Sequence, residues 1–402
     1  MAPESQGGDE PERSPLPFDF DLGRFAQMLQ SSGPVNWEIA HQVAAWVALE
    51  GGSDPAVAAG DREQFEELTR AAQTHVVAET GLAATFRAPV ELLGPGAWAE
   101  LHLRVLGPVL ETLATTLGEG MRADPEGLGD EPDEGPGGGG DPFAALMPMI
   151  VPLMLGLQAG SMAGFLARHA LGRYDLPLPA NDEPTLVFVV GHVDGFEQAW
   201  SLPRADLRFY LALHEVVHAA ARSVPWVRDR MVRLSQQYVR GYQMDPSSLQ
   251  TQFGDIDPSD PSSLSEIAQD PEALLGAMRS PAQDEPLRQL EVLTSVLEGY
   301  ADSVLERVGR RLLPSFDQIQ EAMHRHRVER GEAERFIGKL LGLELDRAAY
   351  ERGGTFCAGV IERAGPDGLN RLFEREAMVP TPAEIEAPGL WLARIDLPLD
   401  QS

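Results

Sequence analysis

The sequence predicts a mainly α fold (α+β with a small sheet), built around one buried helix. Apolar residues recur at helical spacing along much of the 402-residue chain, as in Leu290, Leu293, Leu297, Ala301, Val304 and Val308. One short β-branched run, Thr185 to Val190, reads clearly as a strand. The stretch Leu211 to Ala220 is apolar on nearly every side, which places it in the interior. With 43% hydrophobic residues the chain can bury a substantial core around it.

Taken in order, residues 1–17 are rich in Pro, Glu, Gly and Ser and read as a disordered tail, with 18–402 as a single large domain. Helices are expected from Trp37, with Asn36 or Asp54 as N-caps, then over Asp61 to Thr80, Pro89 to Trp98 and Ala99 to Gly118. His41, His75 and His102 lie within them and read as surface or packing histidines. A flexible Gly-rich insertion at 119–141 follows. Pro142 to Leu166 approaches the length of a membrane span, but Pro148, Pro152, Gln158 and Ser161 interrupt it and no basic flank precedes it. Gly156, Gly160 and Gly164 instead give one smooth face for close approach of another backbone.

Thr185 to Val190 is expected to be an edge strand able to hold an extended peptide, with His192 after it as a loop histidine. In the polar stretch 243–286, Asp255, Asp257, Ser259 and Glu266 partly mimic a calcium loop. Asp260 stands where that loop needs glycine, so caps and turns explain the composition better. Pro314 to Gly331 is helical, and Trp391 to Leu397 reads as a short strand or extended tail.

A formal net charge of -30 disfavours nucleic acid as a partner, because phosphate binding needs a basic footprint. A single cysteine, Cys357, excludes an internal disulfide framework. Met1 to Arg13 is polar and acidic, unlike a signal peptide. The expectation is a cytoplasmic protein without a membrane partner and of undetermined oligomeric state.

The buried helix carries His214-Glu215-Val216-Val217-His218. Residues four apart lie one turn above each other, so both imidazoles can reach one metal ion, while Glu215 sits a quarter-turn away, where a general base belongs. Burying two histidines and a glutamate requires such a compensation. Two histidines leave zinc one protein ligand short of the usual three.

Glu298 and Asp302 stand one turn apart on the amphipathic helix that starts near Leu290. In that arrangement Glu298 ligates the metal and Asp302 hydrogen-bonds the outer nitrogen of a ligating histidine. Gly299, costly within a helix, is explained by close approach to the histidine helix. His324 and His326 are the alternative third ligands.

These two motifs resemble the zincin metallopeptidases whose third ligand is a glutamate, and more closely an actinobacterial-type family of zincin-like hydrolases often labelled coenzyme F420 biosynthesis-associated. Gly33 to Glu38, Gly156 to Gly160, Leu171-Gly-Arg-Tyr-Asp175, Val224-Pro-Trp226-Val-Arg228 and Gly365 to Asn370 also look like segments of that family. The resemblance covers most of residues 18 to 395 and implies a mainly helical zincin-like metallopeptidase fold.

The expected function is a zinc-dependent metallohydrolase, a peptidase acting on peptide or protein substrates. One Zn2+ per chain is held by His214, His218 and Glu298, with Glu215 as general base and Tyr300 as a candidate transition-state stabiliser. Two alternatives stand beside it: a non-catalytic protein with a structural zinc, and a hydrolase of a non-peptide amide linked to coenzyme F420. If the site is catalytic, Glu215→Gln is expected to lower hydrolysis by about 100-fold or more while metal content and thermal stability stay nearly unchanged.

Overall fold

The computed structural model describes residues 33–82, 88–123, 142–180, 182–243, 271–328, 332–343 and 346–397. The tail 1–17, most of the Gly-rich insertion and the calcium-like stretch Asp255 to Glu266 lie outside them. The fold is mainly helical with one two-stranded sheet, as the periodicity predicts.

The first half contains α1 (Trp37–Leu49), α2 (Ala59–Thr80), β1 (Val90–Leu92), α3 (Pro95–Ala123), α4 (Pro142–Ala167), β2 (Leu186–Phe188) and α5 (Val190–Trp200). The Asn36 side chain caps α1 by accepting from the Ile39 amide at 3.1 Å. Asp54 caps α3 across 42 residues of chain, accepting from the amides of Gly96 at 2.9 Å and Ala97 at 3.0 Å. Both caps satisfy amides that a helix start leaves without partners.

A helix expected over Pro89 to Trp98 is instead β1 followed by the start of α3. Val90, Glu91 and Leu92 pair in parallel with Leu186, Val187 and Phe188, and Pro95 opens the helix at the first position, where its missing N–H costs nothing. α4 runs on through Pro148 and Pro152, and among the described residues no helix is long and apolar enough to cross a membrane. Its glycines are used for close packing. A Cβ at Gly160 would lie 2.9 Å from Val43 Cβ, and one at Gly164 would lie 2.8 Å from the Ala44 carbonyl oxygen, so α4 and α1 touch backbone to backbone.

The second half contains α6 (Arg204–Arg222), α7 (Pro225–Val239), α8 (Pro271–Met278), α9 (Asp284–Leu312), α10 (Phe316–Val328), α11 (Glu332–Leu341), α12 (Arg347–Asn370), α13 (Pro382–Ile385) and α14 (Pro388–Asp396). The strand or tail expected at Trp391 to Leu397 is α14 followed by one extended residue. Pro388 starts that helix, and Trp391 and Ile395, one turn apart, bury its inner face. One hydrophobic cluster extends from Ala40 to Ile395, with α6 inside it. From Tyr210 to Arg222 every residue of α6 is buried.

The expected edge strand is no edge. β2 is buried throughout, lies against β1 on one side and is bridged through Phe188 to Gly172 on the other. The Gly172 bridge and the Glu215 carboxylate, which accepts from the Val187 amide, already occupy that second flank, so an extended peptide has no open edge on β2 to join. Gly299 also serves a different neighbour from the one expected. A Cβ there would lie 2.5 Å from the Gly353 carbonyl oxygen, so the glycine brings α9 against α12 and not against the histidine helix.

Candidate metal centre

α6 and α9 bring together residues eighty positions apart. A 3-10 turn, Pro281–Gln283, opened by a capping box between Ser280 and Gln283, runs directly into α9, which carries Asp284 and Glu285 in its first turn and Arg310 and Arg311 in its last, matching the helix dipole. On α6 the His214 and His218 rings lie one turn apart, tilted by 54° to each other with centroids 4.5 Å apart. From α9, Glu298 brings Oε1 to 3.9 Å from His218 Nδ1. None of His214, Glu215, His218 or Glu298 is more than 4% exposed.

Burial sets the electrostatics of this cluster. It pushes the Glu298 carboxyl up from its ordinary value, against the opposing pull of Arg222 and Arg327. It holds the His218 imidazole well below its ordinary value, and the neighbouring His214, Arg222 and Arg327 add to the effect. His214 Nδ1, His218 Nε2 and Glu298 Oε1 are each buried without a protein partner. Two imidazoles and a carboxylate form a zinc ligand set, and unpaired buried polar atoms are what an ion would compensate. The residues therefore fit zinc in kind. Among the described residues no three His, Cys, Asp or Glu side chains are yet drawn to ligand spacing.

Glu215 faces backbone. Its Oε2 accepts from the amides of Arg173 at 3.1 Å and Val187 at 3.4 Å, and its Oε1 accepts from Tyr174 at 3.0 Å. Gly172 has no Cβ because one would press on this carboxylate, 2.8 Å from its carbon. The glutamate thus ties the segment Leu171 to Asp175 to the strand β2. An ionised carboxylate has about four acceptor positions, so roughly one remains, on Oε1, which is 3.7 Å from His214 Nδ1.

Two other expected residues are placed elsewhere. Both Nη atoms of Arg327 donate to Asp302 at 3.2 Å, and among the described residues no histidine hydrogen-bonds it. A nearby guanidinium outcompetes an imidazole for a half-exposed carboxylate. Tyr300 points away from the histidines: its hydroxyl donates to Asn370 Oδ1 at 2.8 Å and its ring meets Phe373 edge-on, because two residues along a helix turns a side chain through about 200°. His326 lies edge-on to Phe196, and His324 lines a separate cavity, so neither joins the pair.

Two residues that sequence reasoning left without a role do join it. Arg222 is buried, donates from Nη1 to His218 Nδ1 at 2.9 Å, and has Nε and Nη2 without partners. Its guanidinium lies 4.9 Å over the Tyr174 ring, which in turn stacks on His218 at 5.8 Å. The signal for Arg222 was its place one turn beyond His218 in an otherwise apolar helix. Tyr174 gave no periodic signal, since it sits in an irregular segment that Glu215 holds against the histidine helix.

A buried histidine pair on one helix thus faces a glutamate on another. The zincin-like metallopeptidase family model matches residues 35–392, and the chain belongs to that family. A solved structure from Chloroflexus aurantiacus, described as that of a candidate hydrolase with a novel fold, shares the fold with a TM-score of 0.60. It is 24% identical, and the match covers 90% of this chain and 99% of that one. No curated protein matches the chain.

Proposed function

We propose that the protein is a zinc-dependent metallohydrolase that cleaves peptide bonds. The observation that carries this reading is the convergence of His214, His218 and Glu298, each with a buried atom lacking a partner. When bound, zinc supplies Lewis acidity, polarising a carbonyl and lowering the pKa of a coordinated water to about 7. His214, His218 and Glu298 would hold it. Glu215 would take a proton at the acceptor position left on Oε1, with its orientation fixed by the three amides that grip it. Arg222, with Nε and Nη2 free, and the Tyr174 ring beneath it form the cationic wall of the site.

The structural-zinc reading gains support from one feature: Glu215 is engaged with backbone, as a residue with an architectural task would be. A non-peptide amide connected with coenzyme F420 is the alternative substrate class, supported by the sequence resemblance. A cytoplasmic peptide or protein is the substrate favoured here, since a charge of -30 repels nucleic acid. The deciding experiment measures zinc by elemental analysis in wild type and Glu298→Ala, then screens the zinc-loaded wild type against peptide and amide libraries. About one zinc per chain, lost in the variant, with peptide cleavage, is expected. A zinc-loaded protein that cleaves nothing supports the structural reading, and a protein that takes up no zinc refutes both.

A further inference from the structure

Arg222 ends α6 one turn past His218 and is only 3% exposed. A cation suits the last turn of a helix, where the free carbonyls make a negative end, and this accounts for the charge at that position. It does not account for the donors. Nη1 is spent on His218 Nδ1 at 2.9 Å, whereas Nε and Nη2 are buried without a partner among the described residues. Charged donors left bare in the interior are costly, so this pair calls for an acceptor.

The two free donors are not scattered. Nε and Nη2 share one edge of the planar guanidinium, the edge that meets a carboxylate in two parallel hydrogen bonds. The plane is held in orientation by the Tyr174 ring, 4.9 Å away, which itself stacks on His218. The carboxylates nearest in this chain are committed elsewhere. Glu215 is gripped by the amides of Arg173, Tyr174 and Val187. Glu298 bears on Arg222 electrostatically but forms no ion pair with it among the described residues, and its Oε1 faces His218. Arg173, the neighbouring guanidinium, is already closed by Asp182 at 2.6 Å. Charge points the same way. The two positive charges of a zinc ion would be matched by Glu298 and Glu215, which leaves Arg222 without a counter-charge in the interior, and one monoanion supplies it.

We propose that Arg222 receives the C-terminal carboxylate of the substrate, so that the protein trims peptides from that end. One residue of extended chain spans about 3.5 Å. A carboxylate on a guanidinium that touches His218 therefore leaves one of the last peptide bonds beside the histidine pair. The proposal rests on the peptidase reading for the identity of the ligand, and its test reads binding, so the two fail separately.

A fluorescein-labelled alanine hexapeptide, as the free acid and as the C-terminal amide, is titrated with the full-length protein and followed by anisotropy, in chelator and again after zinc loading. The chelated arm keeps zinc from capturing the carboxylate itself. In that arm the free acid is expected to bind about 10-fold or more tightly than the amide, the scale of charge-assisted hydrogen bonds. A chain at -30 repels the free acid at long range, so a preference for it has to be local. Arg222→Met keeps the stem and removes the fork, and is expected to bring the two peptides within about 2-fold of each other. Arg222→Lys keeps the charge without the fork and is expected to lose most of the advantage, which decides the matter if methionine disturbs the fold. Equal binding of acid and amide by the wild type, or a full advantage in either variant, overturns the proposal. Displacement of the free acid by inorganic phosphate at concentrations where acetate has no effect assigns the fork to a phosphoryl group and overturns it too. A free-acid preference without cleavage by the zinc-loaded protein leaves Arg222 assigned and removes the peptidase. Equal binding, with the amide cleaved as readily as the acid, does the reverse.

Discussion

Replacing Glu215 by glutamine tests the structural task of this side chain separately from its chemistry. The carboxylate accepts three backbone amides from two segments, and an amide side chain has one acceptor oxygen. If that oxygen keeps Arg173 and Val187, the new NH2 faces the Tyr174 amide, donor against donor. One buried N–H then loses its partner, at about 1–3 kcal/mol, and the two retained bonds lose their charge assistance. The sum is about 2–4 kcal/mol, which at roughly 1 °C per kcal/mol for a chain of this length is a melting temperature lower by about 2–5 °C.

The assay is calorimetry on metal-stripped protein, so that zinc does not mask the loss, with hydrogen exchange read at the amides of Arg173, Tyr174 and Val187. Those three should lose protection before their neighbours do. Gly172→Ala, which pushes a methyl group into the same carboxylate, should give a similar and non-additive loss in the double variant. A Glu215→Gln protein that melts with wild type and keeps its protection refutes the argument, and the sequence-based expectation of a stability-neutral substitution then holds. Hydrolysis cannot make this distinction, because it falls in either case.

Three further outcomes follow from the geometry. A neutral imidazole has a single lone pair, and Arg222 already takes that of His218, so Arg222→Met should bind zinc about 10-fold more tightly in competition with a chelator; weaker binding would show that Arg222 supports the ion. Burial holds the His102 imidazole down at about 4, against 6.5 in the unfolded chain. Below pH 6.5 the unfolded state gains a proton that the folded one refuses, so stability is complete above 6.5 and falls toward pH 4 by roughly 3 kcal/mol from this group. Denaturation curves of His102→Leu should lack that slope. Gly299→Ala puts a methyl group against the backbone of α12 and should lower the urea midpoint by the equivalent of about 1–3 kcal/mol, whereas an unchanged midpoint would mean that α9 and α12 can separate freely.

The sequence by itself determined the helical class, the burial of the His214 to His218 helix and the presence of Glu298 on a second helix, because each is written in a local period that one helix face must obey. It also determined the close approach of α4, since glycines spaced every fourth residue leave one bare face. Tertiary structure alone decided who meets that chemistry from outside the period. Asp302 went to Arg327, because a guanidinium from α10 reached it before an imidazole could. Glu215 went to the amides of Arg173, Tyr174 and Val187, because an irregular segment and a strand with unpaired buried N–H groups came to rest on the histidine helix. Backbone amides carry no side-chain identity, so their demand for a buried acceptor leaves no mark in the sequence.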